Sequence, residues 1–230
     1  MTEPTTKGKD NKARKGTSFP RYSEHPAVLS RTRYPHELNY SWLPILLDSY
    51  AIYDYEIQLD VKKGMHTRDQ NIACHKGCFN CCTRQEILLT LLEFMGISWF
   101  YSEICDAETR KCIRPQLLSF DRRIECPFLM ANICSIYPVR PLVCRGFFVY
   151  GKPCGLDEDV AVKRPEDIHP PNREIGQYVV FRLLDYPDFD CPNIEAKEKA
   201  YNEGFMLSIS KPMHEWDWAT YVKLSESRFG

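Results

Sequence analysis

No apolar stretch of this 230-residue chain approaches the ~20 residues that cross a bilayer, since even Ile87 to Tyr101 is broken by Thr90, Glu93 and Ser98. There is no basic start leading into an apolar run with a small-residue cleavage site, so the sequence reads as that of a cytoplasmic protein without a membrane partner. Gly-x-Gly-x-x-Gly and Walker-type phosphate loops are missing, the 11 glycines being scattered, and no Ser-His-Asp order is recognisable. Catalytic residues are therefore left unassigned. A strong excess of one charge is also missing: 30 Lys+Arg stand against 31 Asp+Glu, a net charge of −1, which argues against a dedicated nucleic-acid binder. Locally, residues 1–35 hold eight Lys/Arg and three acids, a surplus of +5 that leaves −6 on the rest. Residues 1–20 lack hydrophobic periodicity and cannot repay the entropy of ordering. They read as a disordered basic tail whose lysines at 7, 9, 12 and 15, with Arg14, suit a solvated segment better than a binding one.

What the sequence has in abundance is cysteine, 11 in all. In a reducing compartment a dense and odd-numbered set favours metal binding over a disulfide framework. Four thiols fall within nine residues, Cys74-His-Lys-Gly-Cys78-Phe-Asn-Cys81-Cys82, followed by Cys126, Cys134 and Cys144. Gly77 suits a turn that lets one loop present several sulfurs inward at the ~2.3 Å sulfur–metal distance used by zinc and shared by iron. Neighbouring side chains seldom both fit one rigid tetrahedral centre, so the Cys81-Cys82 pair points to two metals or one multinuclear cluster. These seven thiols call for an eighth. Cys191, before Pro192-Asn193, and Cys154, in the loop after Cys144, are the candidates, with Cys191 preferred; Cys105 and Cys112 sit in helical sequence and read as ordinary buried cysteines. His66 and His75 read as bystanders.

The remaining pattern is mostly helical. A first helix is expected from about Pro44 to Lys63, with Ser41 as a cap and Gly64 as its end. Thr90-Leu-Leu-Glu93 is a capping box that starts a second near Leu91 and runs toward Ile104. Asp106 caps a third that carries Cys112 and stops near Pro115. Between Glu125 and Tyr137, two short apolar runs around Met130-Ala131-Asn132 read as a hairpin joining Cys126 to Cys134. Further helices are expected at Arg173–Leu184, Ile194–Ser208 and Trp216–Ser225. The fold class is thus mainly α with a small β-hairpin and irregular metal-binding loops, an α+β cysteine-rich arrangement. Residues 1–35 form the tail and an extended arm, and residues 36–230 one cysteine-cluster domain. Its metal core lies at about 73–192, with a helical extension over 193–230.

The runs CHKGCFNCC, CPFLMANICSIYPVRPLVCRGF and CPN resemble the YkgJ-type cysteine-cluster family, a zinc- or iron-chelating domain. The resemblance spans Cys74 to Cys191. It places the family's cysteine pair, Thr-x-x-Glu helix start, Cys-Pro-Phe-Leu run, Cys-x-Ile-Tyr, Arg-Pro, Cys-Arg and late Cys-Pro-Gly on Cys82, Thr90, Glu93, Cys126, Cys134, Tyr137, Arg140, Pro141, Cys144, Arg145 and Cys191. Two departures are that the Cys74 to Cys78 gap is one residue longer than the commonest spacing, and that Asn193 stands where the family has glycine. A similar cysteine pattern in flagellin lysine-N-methylases implies methyl transfer as an alternative, for which this chain is short. Four thiolates around Zn²⁺ or a [4Fe–4S]²⁺ cluster leave a net charge near −2, and Arg84, Arg140 and Arg145 are positioned in sequence to offset it. Arg140 and Arg145 are the expected cofactor-binding cations. The cysteine pair, the many aromatics and the few histidines favour an iron–sulfur cluster over zinc. The functional expectation is a redox, electron-transfer or metalloenzyme-maturation protein with a protein partner, leaning away from an enzyme; the alternative is a zinc-stapled interaction module.

Overall fold

The structure is a computed structural model that describes residues 19–83, 86–120, 125–156 and 158–226. The tail lysines and Arg84, singled out above, lie outside these residues. In chain order the α-helices are α1 (Pro26–Ser30), α2 (Trp42–Arg68), α3 (Leu91–Trp99), α4 (Ala107–Leu118), α5 (Leu142–Arg145), α6 (Val160–Lys163), α7 (Arg173–Leu183), α8 (Ile194–Asn202), α9 (Phe205–Ser208) and α10 (Trp218–Glu226). Four two-residue strands, β1 (Leu88–Leu89), β2 (Leu129–Met130), β3 (Ile133–Cys134) and β4 (Lys211–Pro212), pair antiparallel as β1 with β4 and β2 with β3. The fold is mainly α with a small hairpin. Among the described residues no helix is long and apolar enough to cross a membrane.

Helix α2 is the spine. Leu43, Leu46, Leu47, Tyr50, Ile52, Ile57 and Val61 are all buried along it, and α1, α3, α5 and α7 pack against it. It runs one turn past Gly64, where its end was expected, and stops at Asp69, whose left-handed φ of 52° caps it. Gly64 is inside because the hydroxyl of buried Tyr150 occupies the space a Cβ would need. The glycine serves packing rather than termination. Ser41 stands at the N-cap position but makes no side-chain cap bond.

The Thr90 capping box forms as read: Glu93 N donates to Thr90 Oγ1 at 3.3 Å and Thr90 N donates to Glu93 Oε2 at 2.9 Å. Past Trp99 the helix relaxes into a π turn over Phe100–Ile104. Asp106 caps α4 through Thr109 N, but α4 continues through Pro115 to Leu118, closed by Ser119 N donating to Pro115 O at 3.2 Å. A proline loses one helical bond yet is compatible with a final turn beyond it. On α4 the buried positions are Ile113 and Leu117, which leaves Cys112 exposed rather than buried, whereas Cys105 is buried. Toward the C terminus the expected single helix is split into α8 and α9 by Gly204, with φ 70°.

Residues 19–38 are helical in part where an extended arm was expected. Pro26 opens α1 and His25 Nδ1 accepts from Ala27 N. This segment lies along α2 and α7: Phe19 stacks on Tyr178 at 4.5 Å, and buried Arg31 reaches both Glu37 (2.6 Å) and Asp48 of α2 (2.6 Å). Asp48 is also bound by Arg182 of α7 at 2.7 Å, so one carboxylate joins three segments. At the other end Met213 N donates to Ile87 O at 2.7 Å and Trp218 is buried edge-on against Phe128. The C-terminal extension thereby closes the main core beneath the hairpin.

Candidate metal centre

The loop after α2 reaches the first thiols as a short ladder. Ile72 bridges Tyr150, and Ala73 N donates to Val149 O at 2.7 Å. Val149 N in turn points at Cys74 Sγ, 3.4 Å away. A turn over His75–Cys78 is closed by Cys78 N to His75 O at 3.0 Å, with Gly77 at φ 86°, a conformation that glycine adopts without strain. The 3-10 turn Asn80–Thr83 then carries Cys81 and Cys82. Asn80 donates its side-chain amide to the carbonyl of Cys154, and Cys82 O accepts from Cys126 N at 2.8 Å. The cysteine loop is therefore stitched to two distant segments, one on each side of the Cys81-Cys82 pair.

The hairpin turn at Ala131 and Asn132, both with positive φ, sets Cys134 opposite Leu129, close after Cys126. A 3-10 turn at Tyr137–Val139 follows, and α5 presents Cys144. Helix α5 is only four residues long, and two buried side chains fix it. Glu93 is shared between helices: besides the capping box, its Oε1 accepts from Leu142 N at 2.8 Å. Arg145 is 3% exposed; its guanidinium donates to Arg140 O (2.8 Å) and Pro138 O (2.6 Å), pairs with Asp54 of α2, and lies 4.0 Å over the Tyr50 ring. Sequence reasoning found Glu93 and Arg145 but not Asp54 or Tyr50, since a tyrosine and an acid one turn apart on a long helix carry no mark of their partner. Asn80 was missed likewise.

All eleven cysteines are free thiols. Cys126, Cys134 and Cys144 come within electrostatic range of one another and of Cys81, and Cys126 and Cys134 also reach Cys82. Cys74, Cys78, Cys81 and Cys154 form a second such neighbourhood. Burial pushes the Cys126 thiol up to about 12 and Cys74 up to about 11, and it raises Cys134, Cys144 and Cys154 as well. Within the adjacent pair, the hydrogen bond between the two sulfurs holds Cys81 down and Cys82 far up, and Arg140 assists the lowering of Cys81. Thiols held protonated by burial are inert until a metal displaces the proton. Among the described residues no three Cys, His, Asp or Glu side chains stand at the separation of ligands around one ion, so coordination would draw these sulfurs inward.

Cys191 takes another position, after the turn Pro187–Phe189, where its S–H donates to Phe189 O at 3.3 Å. The side chains around the thiols fit a soft, anionic metal–thiolate group in two respects. Burial lowers the Arg145 guanidinium without neutralising it, and Arg140 stacks 4.2 Å over Tyr137, so two cations stand beside Cys134. Two buried donors, Arg140 Nε and the Tyr50 hydroxyl, also have no hydrogen-bond partner, a costly state for buried polar atoms that a metal-bound thiolate within reach would relieve.

Residues 73–166 match the model of the CxxCxxCC family, described as "Putative zinc- or iron-chelating domain". This segment is similar to that domain. The match contains the loop, the hairpin, α5 and Cys154, and it stops short of Cys191. The CxxCxxCC description names zinc or iron, the two metals that a thiol-only donor set suits. No curated protein and no solved structure matches the chain.

Proposed function

We propose that this protein holds an iron–sulfur cluster through its CxxCxxCC thiols, and serves in electron transfer or in maturation of another metalloprotein. The observation that carries the reading is the gathering of unpaired thiols from four segments beside the buried Arg145, the half-buried Arg140 and two buried donor atoms without partners. A [4Fe–4S]²⁺ cluster with four thiolates carries about −2, and hydrogen bonds to its sulfurs set its potential. Arg140, Arg145 and Tyr50 supply that environment, while Cys74, Cys78, Cys81, Cys82, Cys126, Cys134 and Cys144 are the proposed ligands. The partner is a protein, met in the cytoplasm.

A structural zinc site is the second reading, supported by the scarcity of regular structure between Asp69 and Ile87, where an ion would act as a staple. Anaerobic purification followed by iron, zinc and acid-labile sulfide analysis separates the two. A broad absorption near ~400 nm with equimolar iron and sulfide supports the cluster. Zinc with no visible band overturns it in favour of the staple.

A further inference from the structure

We infer that the thiols divide into two four-sulfur centres that meet at the Cys81-Cys82 pair, and that Cys154, rather than Cys191, completes the first of them. This rests on the metal-binding reading above. In this division Cys74, Cys78, Cys81 and Cys154 form the first centre, and Cys82, Cys126, Cys134 and Cys144 the second.

Three geometric facts carry the division. The two hydrogen-bond stitches of the cysteine loop diverge at the pair: the Asn80 side-chain amide donates to the Cys154 carbonyl on one side, and Cys82 O accepts from Cys126 N on the other. A small cavity of about 40 Å³, lined by Asn80, Cys81, Phe147 and Cys154, opens on the first side. Its volume is close to that of one water or one ion. The Cys74 sulfur is anchored to the same strand-like segment, through Val149 N, that leads on to Cys154. Neighbouring residues present their side chains to different sides, so one loop feeding two tetrahedral centres resolves the problem that an adjacent cysteine pair poses.

The two centres have different electrostatic surroundings. Arg140 and Arg145 both bear on Cys134 in the second, where Tyr50 lies near Cys144, and Arg140 also reaches Cys81 at the junction of the two. At the Cys154 end of the first, Arg164 is close by but already engaged by Glu158 at 2.8 Å and by Asp167 at 2.5 Å. Glu158 itself lines the cavity. A divalent thiophilic ion, whose charge offsets more of its ligands' own, suits the first centre, and a more anionic group suits the second.

Cobalt(II), whose thiolate charge-transfer absorption reports sulfur ligation, is the probe. The full-length metal-stripped chain is titrated with Co²⁺ alone, and the endpoint is compared for wild type, Cys154→Ser and Cys191→Ser. The expected result is that Cys154→Ser loses about half of the thiolate-bound cobalt while Cys191→Ser keeps all of it. Wild type with no cobalt absorption and no bound iron or zinc overturns metal binding itself. Wild type with cobalt, but with the loss in Cys191→Ser instead of Cys154→Ser, overturns only this division. Alkylation of the unsubstituted protein by iodoacetamide, mapped by mass spectrometry, needs no variant: metal should protect Cys154 and leave Cys191 equally modified, and the reverse contradicts the assignment.

Discussion

Replacing Arg145 by methionine should unfold the cysteine region more than any other single change near it. The side chain is 3% exposed, pairs with Asp54, and gives two further charged hydrogen bonds to the carbonyls of Arg140 and Pro138. Removing one partner of a buried ion pair costs about 3–5 kcal/mol, and charged hydrogen bonds about 1.5–3 kcal/mol each, but these are not additive because one group makes them all. Asp54 is 35% exposed and regains water, which places the loss near the lower figure, about 3 kcal/mol. With a urea m-value of about 3 kcal/mol/M for a chain of this size, the midpoint should fall by about 1 M. The assay is urea unfolding of the metal-stripped protein, followed by tryptophan fluorescence. Arg145→Lys should recover little, since an ammonium cannot fork to two carbonyls and stack on Tyr50 together. A methionine variant within about 0.5 kcal/mol of wild type would refute the view that this guanidinium anchors α5.

Glu93→Gln places an amide N–H₂ against the donors Thr90 N or Leu142 N, and should cost about 2 kcal/mol by the same assay, with neutral effect contradicting the shared cap. Gly64→Ala should destabilise even though alanine gains about 1 kcal/mol of helix propensity, because its methyl meets the Tyr150 hydroxyl; Tyr150→Phe in the same chain should restore part of the loss, and no rescue would argue against the packing role. Burial raises the Glu37 carboxyl, but its bonds to Arg31 and to Tyr34 N outweigh that and hold it below the ordinary value. The folded pKa being depressed, this stabilisation is present above the unfolded carboxylate pKa and is lost as pH falls through the folded one. Proteolysis of residues 19–38 should therefore quicken in acid, and Glu37→Gln should remove that dependence; a variant with the wild-type profile would dismiss the Arg31 pair as the latch.

The helix starts and the hairpin were legible because their determinants are local. Thr90 and Glu93 lie one turn apart, and Ala131-Asn132 alone sets the turn between β2 and β3. The ends of α2 and α4 were not, because Gly64 answers to Tyr150, far along the chain, and Pro115 tolerates a last turn that the rest of the fold uses. The pairing of β1 with β4 joins Leu88 to Pro212, and two residues of strand leave no periodicity to read. At the site, thiol spacing within one loop announced chelation, whereas the choice between Cys154 and Cys191 depends on which distant loop Asn80 holds. Arg140 and Arg145 were visible as cations next to thiols, but their hold on Asp54 and Tyr50 was not.

The central claim, that sulfurs of the cysteine loop bind metal, is tested most directly by metal content in purified Cys82→Ser and Cys105→Ser proteins, measured beside wild type by plasma mass spectrometry. Cys82→Ser should lose iron or zinc and unfold more readily, whereas Cys105→Ser, altered in the buried core away from the loop, should retain its full complement. Equal metal in all three proteins would contradict the account.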